Sequence, residues 1–264
     1  MLEVVTCPTL AEANTALGPD ARYFGGGTLV MRDVNAGDQS FRRIIRATDP
    51  GLKEVRTEAG QTVIGAGVTM ADIIAHRDLD FLSAAARSVG GPAIRNMATL
   101  GGNLHAPHPY GDLTTALLAL DGVARMVDGS ELPLPEFLAT RGNGGLVASV
   151  RITRPPRETF RFLKVSRVKP KGVSVLSIAA WLNRSAGRLA NVRIAFGAMG
   201  PTPLRAHAAE QALEGRTLDE AGVAPALGVA VEGLSPPDDG LASAWYRTEV
   251  APVHLRRLLL GLGR

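Results

Sequence analysis

Residues 94–104 read IRNMATLGGNL, and residues 24–31 read FGGGTLVM. Glycine adopts positive φ without steric cost and lets the backbone approach a ligand closely. Successive N–H groups in such a turn form a concavity that binds anions. One loop of this kind can cradle one phosphate. Two loops far apart in the sequence therefore predict a ligand with a diphosphate that is held from both sides.

Neither loop matches the commonest nucleotide motifs. No G-x-G-x-x-G follows a first strand, and the chain contains no G-x-x-x-x-G-K-[ST], which argues against the usual dinucleotide and P-loop sites. Consecutive glycines can also mark only a tight turn. In the second loop, however, the glycines lie among Arg95, Asn96, Thr99 and Asn103, and this polar surrounding favours a ligand site.

The stretch RNMATLGGN at residues 95–103 closely resembles a motif of the FAD-binding subunits of molybdenum hydroxylases. That family includes the medium subunit of carbon monoxide dehydrogenase and the flavin domain of xanthine dehydrogenase. The GGGT at residues 25–28 is similar to the first loop of the same family. The resemblance extends over essentially the whole chain. It implies an α+β fold: an FAD-binding fold of the p-cresol methylhydroxylase/vanillyl-alcohol oxidase type, followed by a C-terminal α+β domain.

The resemblance also implies a function. The chain is expected to be the FAD-binding electron-transfer subunit of a heteromeric molybdenum hydroxylase, with a small iron–sulfur subunit and a large molybdenum-cofactor subunit as partners. Electrons would pass from the clusters through FAD to an external acceptor that the sequence does not identify. Two alternatives stay open: a stand-alone FAD-dependent reductase of the same fold, and a non-catalytic protein whose loops bind another phosphate ligand or none.

The site residues follow from the two motifs and from the resemblance. They are Gly25, Gly26, Gly27, Thr28, Leu29, Thr99, Gly101, Gly102, Asn103, Asp112 and Lys164. No catalytic side chain and no metal ligand is expected, since a flavin carries the chemistry while the protein binds and orients it.

Asp112 and Lys164 each have a second interpretation. Asp112 precedes the apolar stretch 113–120 and is either an N-cap or, as in the family, a residue that touches the flavin chain. Lys164 belongs to an alternating stretch that allows a surface strand, whereas the resemblance brings it near the flavin ring. The next residues, 167–173, read RVKPKGV where relatives often have R-R-x-x-D-I-A, which leaves the surroundings of the ring undefined.

Other polar residues of the loops have equally plain alternatives. The hydroxyls of Thr28 and Thr99 donate to phosphate oxygens or only fix a turn. The Asn103 amide holds the loop or the ligand. Arg95 neutralises the diphosphate or pins the glycine-rich backbone, and the second role is favoured.

Between the second loop and Asp112 the sequence contains two histidines and an aromatic residue. His105 and His108 lack a cysteine or carboxylate at metal-site spacing, so they are interpreted as flexible-loop histidines. Tyr110 either lies near the flavin or is an exposed loop aromatic.

Composition excludes several classes of protein. The chain has 264 residues, is 45% apolar and carries a net charge of +4, without the basic blocks of a nucleic-acid-binding protein. Cys7 is the single cysteine, so the chain forms no internal disulfide and holds no iron–sulfur cluster on its own cysteines. The N-terminus does not resemble a signal peptide, and no apolar run is long enough to span a membrane. A cytoplasmic protein is expected.

The predicted elements and the turn and linker residues between them divide the chain into three segments, residues 1–51, 52–153 and 158–264. By the resemblance, the first two are the FAD-binding subdomains and the third is the C-terminal domain. In the third segment we predict antiparallel strands over 159–165, 173–182 and 189–196, with a turn at 183–187 joining the last two. Helices are predicted over 206–213 and, after Pro252, to the end, on one face of the sheet.

Overall fold

The structure, a computed structural model, describes residues 2–58, 60–141, 145–168 and 172–262. Its strands are β1 (Glu3–Cys7), β2 (Ala21–Tyr23), β3 (Arg43–Ala47), β4 (Val55–Glu58), β5 (Gln61–Gly65), β6 (Val123–Met126), β7 (Glu131–Pro133), β8 (Val147–Thr153), β9 (Phe160–Ser166), β10 (Ser174–Trp181), β11 (Arg184–Ser185), β12 (Arg188–Leu189), β13 (Arg193–Gly197) and β14 (Leu204–Arg205). Its α-helices are α1 (Leu10–Ala16), α2 (Val30–Asn35), α3 (Met70–Ala75), α4 (Ser83–Ser88), α5 (Pro92–Arg95), α6 (Leu100–Leu104), α7 (Asp112–Ala119), α8 (Leu134–Ala139), α9 (His207–Leu213), α10 (Glu220–Gly228) and α11 (Ala244–Leu260). The sheets are separate and the helices follow no strict alternation, so the fold is α+β, as predicted.

The first sheet consists of three parallel strands in the order β1-β3-β2. Helix α1 connects β1 to β2, and its first turn is capped by Thr9, whose side chain accepts a hydrogen bond from the Glu12 N–H. Ile45 of the central strand is fully buried. The first glycine loop follows β2 directly and so lies at the carboxyl edge of this sheet.

The second sheet has five antiparallel strands in the order β4-β5-β8-β6-β7. A capping box starts α3, where the Thr69 and Asp72 side chains each bind the other residue's backbone N–H. Helix α7 is buried at every position from Asp112 to Ala119. This helix leaves the second-loop region and reaches the centre of the molecule.

The third sheet has the order β14-β13-β10-β9. Helices α9, α10 and α11 cover one face, and the second hydrophobic core lies there. The other face packs on α7, and its Ala179 and Ala195 belong to the core shared with the earlier segments. Small side chains permit this close approach: a Cβ on Gly197 would lie 2.3 Å from the Thr115 Oγ1. The helices of this segment therefore lie on one face of its sheet, as predicted, and α7 of the second segment packs on the other.

The starts of one strand and one helix in the third segment differ from the prediction. Residues 184–189 form the small hairpin of β11 and β12, so the strand expected at 189–196 begins only at Arg193. The last helix begins at Ala244, because Ser243 caps it by accepting a hydrogen bond from the Tyr246 N–H, and it continues through Pro252. The helix was predicted to start after this proline, yet it tolerates the proline in its interior. Residues 169–171 of the stretch that departs from the family lie outside the described residues.

Candidate functional site

The first glycine loop presents a row of backbone donors. Phe24 ends the preceding strand by donating its N–H to the Ile45 carbonyl at 2.7 Å. Among the described residues, the N–H groups of residues 25–29 form no hydrogen bond, whereas the Gly27 carbonyl accepts from the Met31 N–H at 2.9 Å. Gly27 has φ +71°, a left-handed conformation. The loop therefore offers successive free N–H groups to an anion.

The two glycine loops touch each other. A Cβ on Gly26 would lie 1.6 Å from the Met97 carbonyl oxygen, and a Cβ on Gly25 would lie 2.9 Å from the Thr99 Oγ1. Only residues without a side chain allow this approach. Glycine at position 26 is thus required by the contact between the loops, in addition to any contact with a ligand.

The second loop is anchored on three sides. Gly101 donates its N–H to the Ala66 carbonyl at 2.8 Å. Thr99 caps the short helix α6 by accepting from the Gly102 N–H at 3.1 Å. The Asn103 Oδ1 accepts from the Thr114 N–H at 2.9 Å, which ties the loop to α7. Thr99 and Asn103 therefore fix the loop, and both use an acceptor oxygen of the side chain for this.

Gly102 differs from its neighbours because its Cα is open to solvent. The residue is exposed, and an added Cβ would meet only the Thr99 Oγ1, at 3.1 Å. A side chain here would need a small shift of that hydroxyl and meets no backbone, so Gly102 marks the surface of the loop that a ligand can approach.

Asp112 is not a helix cap, and that interpretation was wrong. The N-cap of α7 is Gly111, with φ +107°, and the Asp112 side chain is turned toward the third sheet. Its Oδ2 accepts from the Lys164 Nζ at 2.9 Å and from the Ser88 Oγ at 3.2 Å, and its Oδ1 accepts from the Ser174 Oγ at 2.6 Å. The carboxylate is thus held by donors from three other elements.

Lys164 lies on strand β9, but its side chain is not on the protein surface. Its side chain is only 13% exposed, and its ammonium also donates to the Ser88 carbonyl at 2.8 Å. The two side chains that the sequence placed independently near a flavin are therefore paired with each other. Ser88 and Ser174 complete the cluster, and no local pattern marks either serine.

Arg95 pins the backbone, as favoured from the sequence. Its guanidinium donates to the Gly90 carbonyl at 2.5 Å and to the Arg87 carbonyl at 3.2 Å. Tyr110 is half-buried, and its hydroxyl accepts from the Arg32 Nη1 at 2.6 Å. Neither alternative for Tyr110 included this contact with α2.

The interpretation of the two histidines as flexible-loop residues was wrong. His105 packs edge-on against Phe137 with ring centroids 5.3 Å apart, and burial, aided by the nearby Arg141 charge, lowers its pKa to about 4. The His108 Nε2 lies 2.8 Å from the Asp239 Oδ2. Although burial opposes it, hydrogen bonds from His108, the Leu241 and Ala242 amides and Arg247 hold the Asp239 carboxyl pKa well below its usual range.

The described residues contain no cluster of three or more histidine, cysteine, aspartate or glutamate side chains arranged to hold a metal ion. None of their helices has the length and apolar character needed to cross a membrane.

Comparison with known proteins matches both parts of the chain. Residues 1–155 match the family model described as the FAD binding domain in molybdopterin dehydrogenase. Residues 161–262 match the CO dehydrogenase flavoprotein C-terminal domain. The chain therefore belongs to the family of FAD-binding flavoproteins of molybdopterin dehydrogenases, which confirms the resemblance found in the sequence.

Individual relatives agree with this assignment. The carbon monoxide dehydrogenase medium chain of Afipia carboxidovorans is 28% identical, covering 92% of this chain and 89% of the relative. The xanthine dehydrogenase FAD-binding subunit of Escherichia coli O157:H7 is 26% identical, covering 95% and 92%. A chain of carbon monoxide dehydrogenase from Hydrogenophaga pseudoflava superposes with a TM-score of 0.89 at 25% identity, covering 98% and 96%. The chain is a flavoprotein of the oxidoreductase class, and its cofactor is FAD, as predicted.

Proposed function

We propose that the two glycine loops hold the FAD diphosphate and that the chain serves as the electron-transfer subunit of a heteromeric molybdenum hydroxylase. The proposed cofactor contacts are Gly25, Gly26, Gly27, Thr28, Leu29, Thr99, Gly101, Gly102 and Asn103, with Asp112 and Lys164 on the side of the third sheet. Residues 1–51 and 52–153 form the two FAD-binding subdomains in this proposal, and residues 158–264 form the domain that closes the site.

The observation that carries the proposal is the row of free donors at residues 25–29. Backbone N–H groups are rarely left unpaired in folded proteins, and a run of them at the mouth of a loop is suited to phosphate oxygens. The exposed Gly102 lies across the contact between the loops. A diphosphate between the two loops therefore meets donors from the first loop and an unobstructed backbone in the second.

Bound FAD would supply the redox chemistry, accepting electrons and passing them to another acceptor. The protein's own residues bind and orient it. Lys164 carries a positive charge in a largely buried position, balanced by Asp112. The ammonium is the positive end of this buried pair, and negative charge that develops on its side is stabilised more strongly there than near an exposed lysine, which suits a group that gains electrons.

The partners follow from the same reasoning. The single cysteine, Cys7, is buried in the described fold and holds no iron–sulfur cluster by itself. Relatives are named as a medium chain and an FAD-binding subunit. We therefore assign the clusters and the molybdenum cofactor to a small and a large partner subunit, with FAD as the point where electrons leave for an external acceptor.

Titration with FAD tests the loop assignment. The purified chain should bind FAD stoichiometrically, with a visible flavin spectrum. Gly102→Val should abolish binding in a protein that still folds, because the added Cβ meets only the Thr99 Oγ1, which must shift slightly, and faces the ligand. Gly228→Ala is the control, since nothing lies within 4 Å of its added Cβ. Stoichiometric FAD in a folded Gly102→Val protein would show that the second loop does not hold the diphosphate.

The subunit role is tested by activity and co-purification. The isolated chain should bind FAD but hydroxylate no substrate, and it should co-purify with metal-containing subunits from its native cells. An isolated chain that completes a reductase reaction by itself would favour the stand-alone alternative.

A further inference from the structure

A nearby cation would balance the negative charge of a bound diphosphate. Arg95, the residue considered for this role from the sequence, is engaged elsewhere. The two segments that carry the loops, residues 21–35 and 92–112, contain Arg22, Arg32 and Arg95 and no lysine. Arg95 donates to two backbone carbonyls. Arg22 donates to the Ala21 carbonyl at 3.0 Å and to the Ser40 hydroxyl at 3.3 Å, and it stacks on Phe41.

Arg32 lies three positions after Leu29, the last residue of the row of free N–H groups. It belongs to the first turn of α2, which begins at Val30 directly after the first loop. Its Nη1 donates to the Tyr110 hydroxyl at 2.6 Å, and its guanidinium lies 5.3 Å from the centroid of the same ring. The nearest carboxylate oxygen, on Asp33, is 3.8 Å from its Nε. Its principal partner is therefore a neutral phenol, which leaves most of its charge uncompensated.

Tyr110 fixes the guanidinium between the two loop segments. The tyrosine precedes Gly111, where an added Cβ would lie 3.9 Å from the Asn103 carbonyl oxygen of the second loop. A hydrogen bond and a ring face from one residue restrict both the position and the tilt of the guanidinium. The Arg32–Tyr110 contact thus joins the helix after the first loop to the chain that leaves the second loop.

We propose that Arg32 is a further FAD-binding residue, whose guanidinium neutralises the diphosphate, and that Tyr110 is the residue that positions it. The inference rests on the proposed function, because it places the diphosphate at the two loops. Guanidinium–phosphate hydrogen bonds are charge-assisted and stronger than neutral ones, and the planar Arg32 side chain can turn its free N–H groups to phosphate oxygens while its face stays on Tyr110.

FAD affinity in low and high salt tests the assignment. Arg32→Gln should weaken FAD binding about tenfold at low ionic strength, or about 1.4 kcal/mol. The difference should shrink to less than about threefold near 1 M salt, where the Debye length is only about 3 Å. Arg32→Lys should retain most of the low-salt affinity, because it keeps the charge. Tyr110→Phe should lose less affinity than Tyr110→Ala, since the ring remains.

Arg22→Gln is the matched control. Arg22 is also an exposed arginine of the first subdomain, stacked 5.2 Å from an aromatic centroid, and its loss should leave FAD affinity unchanged. A salt-independent loss in Arg32→Gln, equal in Arg32→Lys, would show a merely structural role and overturn the proposal, as would unchanged affinity. If the unmodified chain binds no FAD at any salt concentration, it is the proposed function that fails instead.

Discussion

The carboxylate of Asp112 and the ammonium of Lys164 form an ion pair with 2.9 Å between Oδ2 and Nζ, and the two side chains are only 8% and 13% exposed. Asp112 opens the buried helix α7, and Lys164 lies on the edge strand β9 of the third sheet. The pair therefore joins the segment that carries the second glycine loop to the sheet that follows it. The Ser88 and Ser174 hydroxyls donate further hydrogen bonds to the carboxylate, and the ammonium also donates to the Ser88 carbonyl.

Removing one member of this pair should destabilise the apoprotein strongly. Asp112→Ala and Lys164→Met should each lower the free energy of unfolding by about 3–5 kcal/mol, because each leaves a buried charge unpaired. The double variant Asp112→Ala/Lys164→Met should lose much less than the sum of the two. Urea unfolding of the four proteins gives the coupling energy, and additive losses would show that the two charges do not interact.

The buried guanidinium of Arg247 should not tolerate lysine. Arg247 is fully buried and donates to the carbonyls of Val175, Pro237 and Ala242 and to both oxygens of Asp239. An ammonium has too few donors and the wrong geometry to replace this set. Arg247→Lys should therefore cost about 2–3 kcal/mol in thermal or urea unfolding.

The exposed Arg256 serves as the control for that change. Its guanidinium pairs with Glu220 at the surface, so Arg256→Lys should stay within about 0.5 kcal/mol of the unmodified protein. Equal effects of the two substitutions would contradict the role given to the buried network.

Acid should weaken the fold through His105. Its pKa is lowered from 6.5 to about 4 in the folded chain, so below pH 6.5 the unfolded chain binds the proton first and stability falls as the pH falls. Between pH 7 and pH 5 this residue should cost about 2 kcal/mol of unfolding free energy. Urea unfolding at both pH values checks it. His105→Phe should remove that part of the pH dependence, and an unchanged slope in the variant would rule His105 out as its source.

Contact between the loops makes Gly26 a structural residue. Gly26→Ala would bring a Cβ within 1.6 Å of the Met97 carbonyl oxygen, so one loop must move. We expect the free energy of unfolding to fall by about 1–3 kcal/mol, together with loss of FAD. Gly228→Ala should change neither. Full stability and full FAD binding in Gly26→Ala would show that the two loops do not pack as described.

Local features of the fold can be predicted from the sequence, because they depend on residues that are neighbours in the chain. The Thr69–Asp72 capping box, the Thr9 cap and the hairpin of β6 and β7 are features of this kind. Short-range hydrogen bonds and turn conformations set such features. The start of the final helix was harder to predict, because its cap at Ser243 lies outside any clear apolar repeat.

Contacts between residues far apart in the sequence could not be predicted in this way. Lys164 lies 52 positions and Ser174 lies 62 positions from Asp112. The sequence alone left Asp112 as a helix cap or a ligand residue, and the pairing with Lys164 appeared only when α7 was found against the third sheet. The burial of His105 became evident in the same way, from its contact with Phe137.

By itself, the sequence determined the chemistry of the backbone in the two loops: consecutive glycines permit close approach and free N–H groups, and their motif identified the FAD-binding family. The tertiary structure alone decided which polar side chains meet, since small residues of the third sheet, Ala179 and Ala195, let α7 pack against it. Packing brought Asp112 to Lys164 and Arg32 to Tyr110. Such contacts depend on how helices and strands fit together, whereas the conformational preferences of the residues act only along the chain.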